Sequence, residues 1–220
     1  MKRNLKSDMG AVMALAMNVI PTVIAIFAFA SSAVPAIATT DGNTAPDALV
    51  RTTVDEVLEV IKRNKDRRTL RQLAEQKVLS NFDFKEMTKL AVGPAWQNAS
   101  QAQQQSLESG FRSLLVNTYT TALSTGVKGD QKVDVTPTRP QANQDEVMVK
   151  TVVKQSGRMP LPIDYRMRHA SGGWKVFDVL VEGISLVTTY RETFSEEVKR
   201  TGIDGLIKAL DSKNQRSAAG

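Results

Sequence analysis

The run Trp174-Lys-Val-Phe-Asp-Val-Leu-Val181 constrains this chain more than any other stretch. Only Lys175 and Asp178 are polar, and the rest are apolar, aromatic or β-branched. Such a composition suits a strand covered on both faces better than one with a wet side. Glu182-Gly183 breaks the run, and Ile184, Leu186 and Val187 resume it before Tyr190, Arg191 and Phe194. Glycine tolerates a positive φ, so the break predicts a sharp strand-to-helix change. A central strand that feeds a helix is an organising core, and by itself it says nothing about function.

The segments upstream divide into two periods. Asp47 reads as the cap of a helix with apolar positions Val50, Val54, Val57, Leu58 and Ile61, a single stripe that needs a partner surface. Leu70, Leu73, Val78 and Leu79 predict a second helix ending near Asn81. Asp83 with Glu86 is a capping-box match for a third, with Phe82 as a hydrophobic staple, and Gly93-Pro94 must end or kink that helix. Ser100 with Gln103 is a second box. It opens the strongest amphipathic stripe in the chain: Leu107, Phe111, Leu114, Leu115, Thr118, Tyr119 and Ala122, ending near Gly126.

After Gly129 the period becomes two. Val133 and Val135 alternate with polar neighbours; Val147, Val149, Thr151 and Val153 share one face of the next strand; Leu161, Ile163, Tyr165 and Met167 share a face of the third. A Gly172-Gly173 turn hands over to Trp174. Short connections between four strands imply an antiparallel meander. A last helix is expected from about Ser195 on Val198, Ile203, Leu206, Ile207 and Leu210, with a polar, frayed tail at 212–220. Helices first and an antiparallel sheet after gives an α+β class, with the helices over the inner face of a curved sheet. Periodicity does not distinguish a filled interior from a hollow one.

The first residues read as a targeting segment. Lys2, Arg3 and Lys6 precede an apolar run from Ala11 to Ala30, and Ala36-Ile37-Ala38 fits an A-x-A processing site. The competing reading of so long a run is an uncleaved anchor. The organisation expected is a signal peptide at 1–38 cleaved after Ala38, a flexible leader at 39–46, and one domain at 47–211. With no cysteine the chain has no disulfide, no thiol chemistry, no Cys-based metal site and no residue for lipoprotein acylation. The formal charge of +6 falls to about +4 without the leader. The densest basic run, Lys62 to Arg68, lies beside Asp55, Glu56, Glu59 and Asp66. It reads as a solvated helix end whose cations complement the helix dipole; the alternative is attraction to anionic headgroups or an acidic partner.

Several blocks carry a resemblance. Trp174-Lys-Val-Phe-Asp-Val, Glu182-Gly-Ile-Ser-Leu-Val and Tyr190-Arg191 resemble the C-terminal signature of the MlaC family, also known as toluene-tolerance or ABC-transporter auxiliary proteins. The resemblance continues in Val78-Leu-Ser-Asn-Phe-Asp-Phe-Lys-Glu-Met87, Leu90-Ala-Val-Gly-Pro-Ala-Trp96, Phe111-Arg-Ser-Leu-Leu-Val-Asn-Thr-Tyr119 and Gly202-Ile-Asp-Gly-Leu-Ile207. It spans almost all of the chain after residue 45. It implies a cone akin to the nuclear-transport-factor fold: a curved four-stranded antiparallel sheet, N-terminal helices and a deep apolar cavity. It implies a periplasmic, non-enzymatic carrier of phospholipid. Its partners would be an outer-membrane lipoprotein–porin complex and an inner-membrane ABC transporter with a hexameric lipid-binding ring. The expected cavity wall is Leu90, Phe111, Leu115, Tyr119, Val147, Val149, Val153, Ile163, Tyr165, Met167, Phe177, Val179, Val181 and Ile184.

Read for chemistry, the residues offer little. His169, the only histidine, falls at a strand end, so neither a catalytic nor a metal site is expected there. Ser185 is not in a G-x-S-x-G elbow, and no glycine-rich phosphate loop is present. Asp178 is the best acid–base candidate, with Tyr165 or Tyr119 beside it. A structural ion pair with Arg166, Arg168 or Arg191 is the plainer account of a carboxylate in a core strand. No catalytic residue, metal, cofactor or nucleic-acid partner is therefore expected. An enzyme or small-ligand binder using Asp178 and Tyr165 is the alternative, and a protein-only adaptor with a filled interior is a third reading.

Overall fold

The computed structural model describes residues 44–63, 66–126, 132–141 and 144–219. The expected signal peptide and most of the leader lie outside the described residues. The helical half comprises α1 (Pro46–Arg63), α2 (Arg67–Leu73), α3 (Phe84–Val92) and α4 (Gln101–Gly126). A π-helical turn (Ala74–Val78) and a 3-10 turn (Leu79–Asn81) follow α2, and Gly93–Asn98 forms another 3-10 turn after α3. Asp47 is not the cap of α1. The helix starts one residue earlier at Pro46, which has no N–H to leave unpaired, and Asp47 occupies the first turn. At the other end Lys62 and Arg63 pair with Glu59 at 2.9 and 3.6 Å, so these two cations of the basic run close a helix end.

The two capping boxes have different fates. Ser100 and Gln103 close theirs reciprocally, at 2.9 and 3.2 Å. Asp83 caps α3 by accepting from the Glu86 N–H at 2.9 Å, but the return arm is absent. The Asp83 N–H donates instead to the Val176 carbonyl at 2.8 Å, and the Glu86 carboxylate meets Arg168 at 3.0 Å. The start of α3 is thereby fastened to the sheet.

The sheet is an antiparallel meander of five strands in sequence order: β1 (Lys132–Val135), β2 (Glu146–Lys154), β3 (Leu161–Ala170), β4 (Gly173–Val181) and β5 (Ile184–Ser185). Four strands were expected; the fifth is two residues long. Glu182 and Gly183 both have positive φ, 51° and 80°, as a two-residue type I′ hairpin requires. The chain thus folds back for one short rung before its helix begins, where a direct strand-to-helix change was expected. The β3–β4 turn is Ser171-Gly172, because Ala170 pairs with Gly173.

Register sets the faces. Val149, Tyr165 and Val179 stand abreast, as do Thr151, Ile163 and Val181, and Val147, Met167 and Val176. The last row reveals a bulge: Arg166 pairs with Asp178 and Met167 with Val176, leaving Phe177 as an extra residue in β4. The bulge resets the alternation, so Val176 and Val179 share the inner face although they are three apart. Phe177 joins the helical core instead.

The final helix, α5 (Leu186–Ala219), is one element from the hairpin onward, with a break at Gly202 (φ 76°, ψ −179°), a conformation only glycine adopts readily. Beyond the break its second half lies along α4, where Leu206 and Leu210 share a buried cluster with Leu107, Phe111 and Leu114. Gln103 donates to Asp204 at 2.7 Å and Asn214 to the Gly110 carbonyl at 2.9 Å. Residues 213–219 are therefore helical, and Asn214 docks them on α4, where a frayed tail was expected.

Candidate functional site

Two adjacent voids lie between the inner face of the sheet and the N-terminal helices. The larger, about 270 Å³, is lined by Leu70 and Leu73 of α2, Leu115 and Tyr119 of α4, and Ile163, Tyr165, Val179 and Val181 of the sheet, among others. The smaller, about 160 Å³, lies between Val50 and Val54 of α1 and Val153, Met167 and Val176 of the sheet. Val57, Val78, Phe82 and Tyr165 line both and so mark the junction. By this measure a single water needs only about 10–15 Å³, so the larger void is roughly twentyfold that. Its walls offer water almost no polar partners, and space of this kind suits hydrocarbon.

The space persists because the elements around it are tied at their margins. Arg51 of α1 donates to the Val135 carbonyl at 3.0 Å, and Asn81 to the Thr53 hydroxyl at 2.9 Å. Lys175 of β4 donates to the Ser80 carbonyl at 2.6 Å, and Phe82 forms a parallel bridge with Val176. Arg71 of α2 donates to Asn117 of α4 at 2.9 Å. Each tie joins a helix or turn to another element across the void's rim, so the apolar faces are held apart. The π-helical turn at Ala74–Val78 contributes Ala74 and Val78 to the wall; such turns recur where a helix is shaped for a site.

Of the fourteen residues expected on the wall, eight border a void. Leu115, Tyr119, Ile163, Tyr165, Val179 and Val181 border the larger, and Val153, Met167 and again Tyr165 the smaller. The other six lie elsewhere. Val147 and Val149 have the expected face but pack solidly against Val50 and Met167, and Val149 has no exposed surface. Phe111 is the centre of the helical core, edge-on to Tyr190 at 4.9 Å and to Phe194 at 5.2 Å. Leu90 flanks that same core, Phe177 is diverted there by the bulge, and Ile184 is half exposed at the hairpin. Sequence reasoning missed the junction residues Val57, Val78 and Phe82. The α1 stripe was the available signal, since it required a partner surface and its partner is partly space.

Asp178 is fully occupied. Its carboxylate accepts from the Val179 N–H at 2.9 Å, the Ser185 hydroxyl at 2.7 Å and the Val187 N–H at 3.2 Å, with Arg166 at 3.7 Å. It thus holds the hairpin and the first turn of α5 against β4. Tyr165 cannot be its partner in catalysis: Asp178 pairs with Arg166 and Tyr165 with Val179, so the two side chains leave opposite faces of the sheet. Arg168 is engaged by Glu86, and Arg191 donates to the Leu90 carbonyl at 2.7 Å. His169 is exposed and edge-on to Trp174 at 5.3 Å. Among the described residues no helix is long and apolar enough to cross a membrane.

An α+β fold whose sheet and helices enclose an apolar, partitioned interior is that of a binding protein for a largely hydrocarbon ligand. The chain belongs to the MlaC protein family, whose model matches residues 51–212. It is 22% identical over 185 residues to the intermembrane phospholipid transport system binding protein MlaC of Haemophilus influenzae, covering 80% of this chain and 84% of that one. The toluene tolerance protein ttg2D of Pseudomonas putida is 27% identical over 113 residues, 51% of each chain. Among solved structures, the phospholipid-binding protein of Ralstonia solanacearum in complex with a phospholipid superposes with a TM-score of 0.72 at 36% identity, covering 80% of this chain and 99% of that one.

Proposed function

We propose that the protein is a periplasmic, non-enzymatic carrier that holds the acyl chains of a glycerophospholipid in the two voids. It passes the lipid between an outer-membrane lipoprotein–porin complex and an inner-membrane ABC transporter with a hexameric lipid-binding ring. The observation that carries this reading is the pair of adjacent voids, whose walls come from five α-helices, the turns after α2 and four strands and are apolar almost throughout. The phospholipid-binding relatives support the ligand class. Burying a sixteen-carbon chain is worth on the order of 12 kcal/mol at about 0.8 kcal/mol per methylene. Two chains would exceed the ceiling of roughly 18–21 kcal/mol for non-covalent binding from water. The relevant reference is the bilayer, which buries the same tails. Exchange with a membrane is then near balance while loss to water is steeply uphill, and direction comes from the partners. Native mass spectrometry of protein from the periplasm tests this. The expected species begins at Thr39 and carries a diacyl phospholipid, with phosphatidylethanolamine and phosphatidylglycerol bound within tenfold of each other. A preparation that never contains lipid, and takes none from vesicles, overturns the carrier reading.

A further inference from the structure

Two phenols border the voids with their rings packed against the core clusters and their hydroxyls unused by the fold. Tyr165 stands at the junction of the two spaces and Tyr119 on the wall of the larger. Among the described residues neither hydroxyl has a hydrogen-bond partner, although the tyrosines keep some accessible surface. A polar group placed against hydrocarbon without a partner is destabilising, and phenylalanine would fill the same space without that cost. The walls' other polar side chains are Thr53 and Asn81, which hydrogen-bond each other, and Thr120. A diacyl lipid branches once, at its glycerol. The two ester carbonyls beside that branch are the strongest acceptors in its buried part. A cavity that divides at Tyr165 places a donor where such a ligand divides.

We infer that the hydroxyls of Tyr165 and Tyr119 are ester-reading donors: they hydrogen-bond the acyl-ester carbonyls of a bound diacyl glycerophospholipid, setting its depth and favouring ester-linked over ether-linked chains. This rests on the carrier reading and adds to it a chemical preference that a smooth hydrocarbon pocket would lack. Both groups remain donors at ordinary pH, because burial, aided by the charge of Asp164, pushes the Tyr165 phenol up to about 12 and burial raises Tyr119 as well. Tyr190 is excluded from the assignment because it borders neither void and packs among Phe111 and Phe194.

The test is a competition in vesicles between dipalmitoyl phosphatidylethanolamine and its di-O-hexadecyl ether analogue, which lacks both carbonyls. Wild-type protein is expected to load the diester about tenfold over the diether, as two neutral hydrogen bonds of ordinary net strength allow. Tyr165→Phe and Tyr119→Phe should each reduce the ratio, and the double variant should bring it within twofold of unity. A wild-type ratio near one overturns the inference, and so does a double variant that still discriminates; both leave the carrier standing. Failure to load either lipid would instead sink the carrier reading itself. The thermal midpoint of the lipid-free variants provides a second check. It should stay level or rise, and a fall would mean that the hydroxyls serve the apo fold.

Discussion

The helical core around Phe111 and the voids around Tyr165 are built from the same residue types, yet one is filled and the other hollow. In the core, Phe111, Tyr190 and Phe194 interlock edge to edge, and the two halves of α5 meet α3 and α4 through large side chains with almost no exposed surface. Around Tyr165, α1 and the turns after α2 carry Val54, Val57, Val78 and Phe82, which are large enough to close a gap. They do not close it because polar ties at the rim fix where those elements stop: Arg51 on β1, Asn81 on α1, Ser80 and Asp83 on β4. Hollowness here is a property of the frame rather than of small side chains. Packed interiors normally leave few voids larger than a water, so maintaining this one has a cost that the fold meets at its edges.

The largest expected effect separates the regions by truncation. Phe111→Ala should cost about 3–5 kcal/mol, the usual range for a buried aromatic whose loss leaves a new cavity. Val57→Ala should cost only about 1 kcal/mol, because the methyls removed already face open space and little new cavity arises. Urea unfolding of the lipid-free variants measures both. Equal losses would mean that the space at Val57 is packed in solution.

Enlargement sharpens the same contrast, with smaller effects. Val149→Trp forces a large ring into a fully buried site and should destabilise by roughly 1–3 kcal/mol. Val179→Trp, directly across β3 from it and bordering the larger void, should cost less than about 1 kcal/mol while displacing lipid. The readouts are the thermal midpoint and the co-purified lipid of each variant. Lipid kept by Val179→Trp would move the acyl site elsewhere, and a midpoint unchanged in Val149→Trp would show slack where the core is tight.

That contrast also marks where the sequence was legible. Alternation placed Val147, Val149, Val153, Ile163, Tyr165 and Met167 on one face, and register confirms it. It could not say that Val149 is core while Val153 borders space, since both are valines on one face of one strand. Phe177 was misplaced because a bulge adds one residue to β4, and period-two reasoning has no term for an insertion. The fold-back at Glu182-Gly183 escaped because a type I′ turn was read as a simple break. Phe82, Val57 and Val78 were visible only as pieces of helical pattern, and their meeting at Tyr165 depends on contacts far apart in the chain.

The smallest effect asks whether the hollow is as dry as the core. Tyr165 on the void and Tyr190 in the packed cluster are both pushed up to about 12, in each case chiefly by burial. An unfolded tyrosine releases its proton near 10, so above that pH the unfolded chain binds fewer protons than the folded one and stability falls as pH rises. The contribution of each phenol is intact below about pH 10 and is lost progressively as pH climbs toward 12. Denaturant midpoints across that window should decline in wild type, and less steeply in Tyr190→Phe and in Tyr165→Phe. If water enters the voids of the lipid-free protein, the Tyr165 phenol is solvated and ionises as it would in the unfolded chain. Tyr165→Phe then leaves the slope at its wild-type value while Tyr190→Phe still flattens it. Equal flattening by the two substitutions means that the frame holds the voids open without admitting solvent.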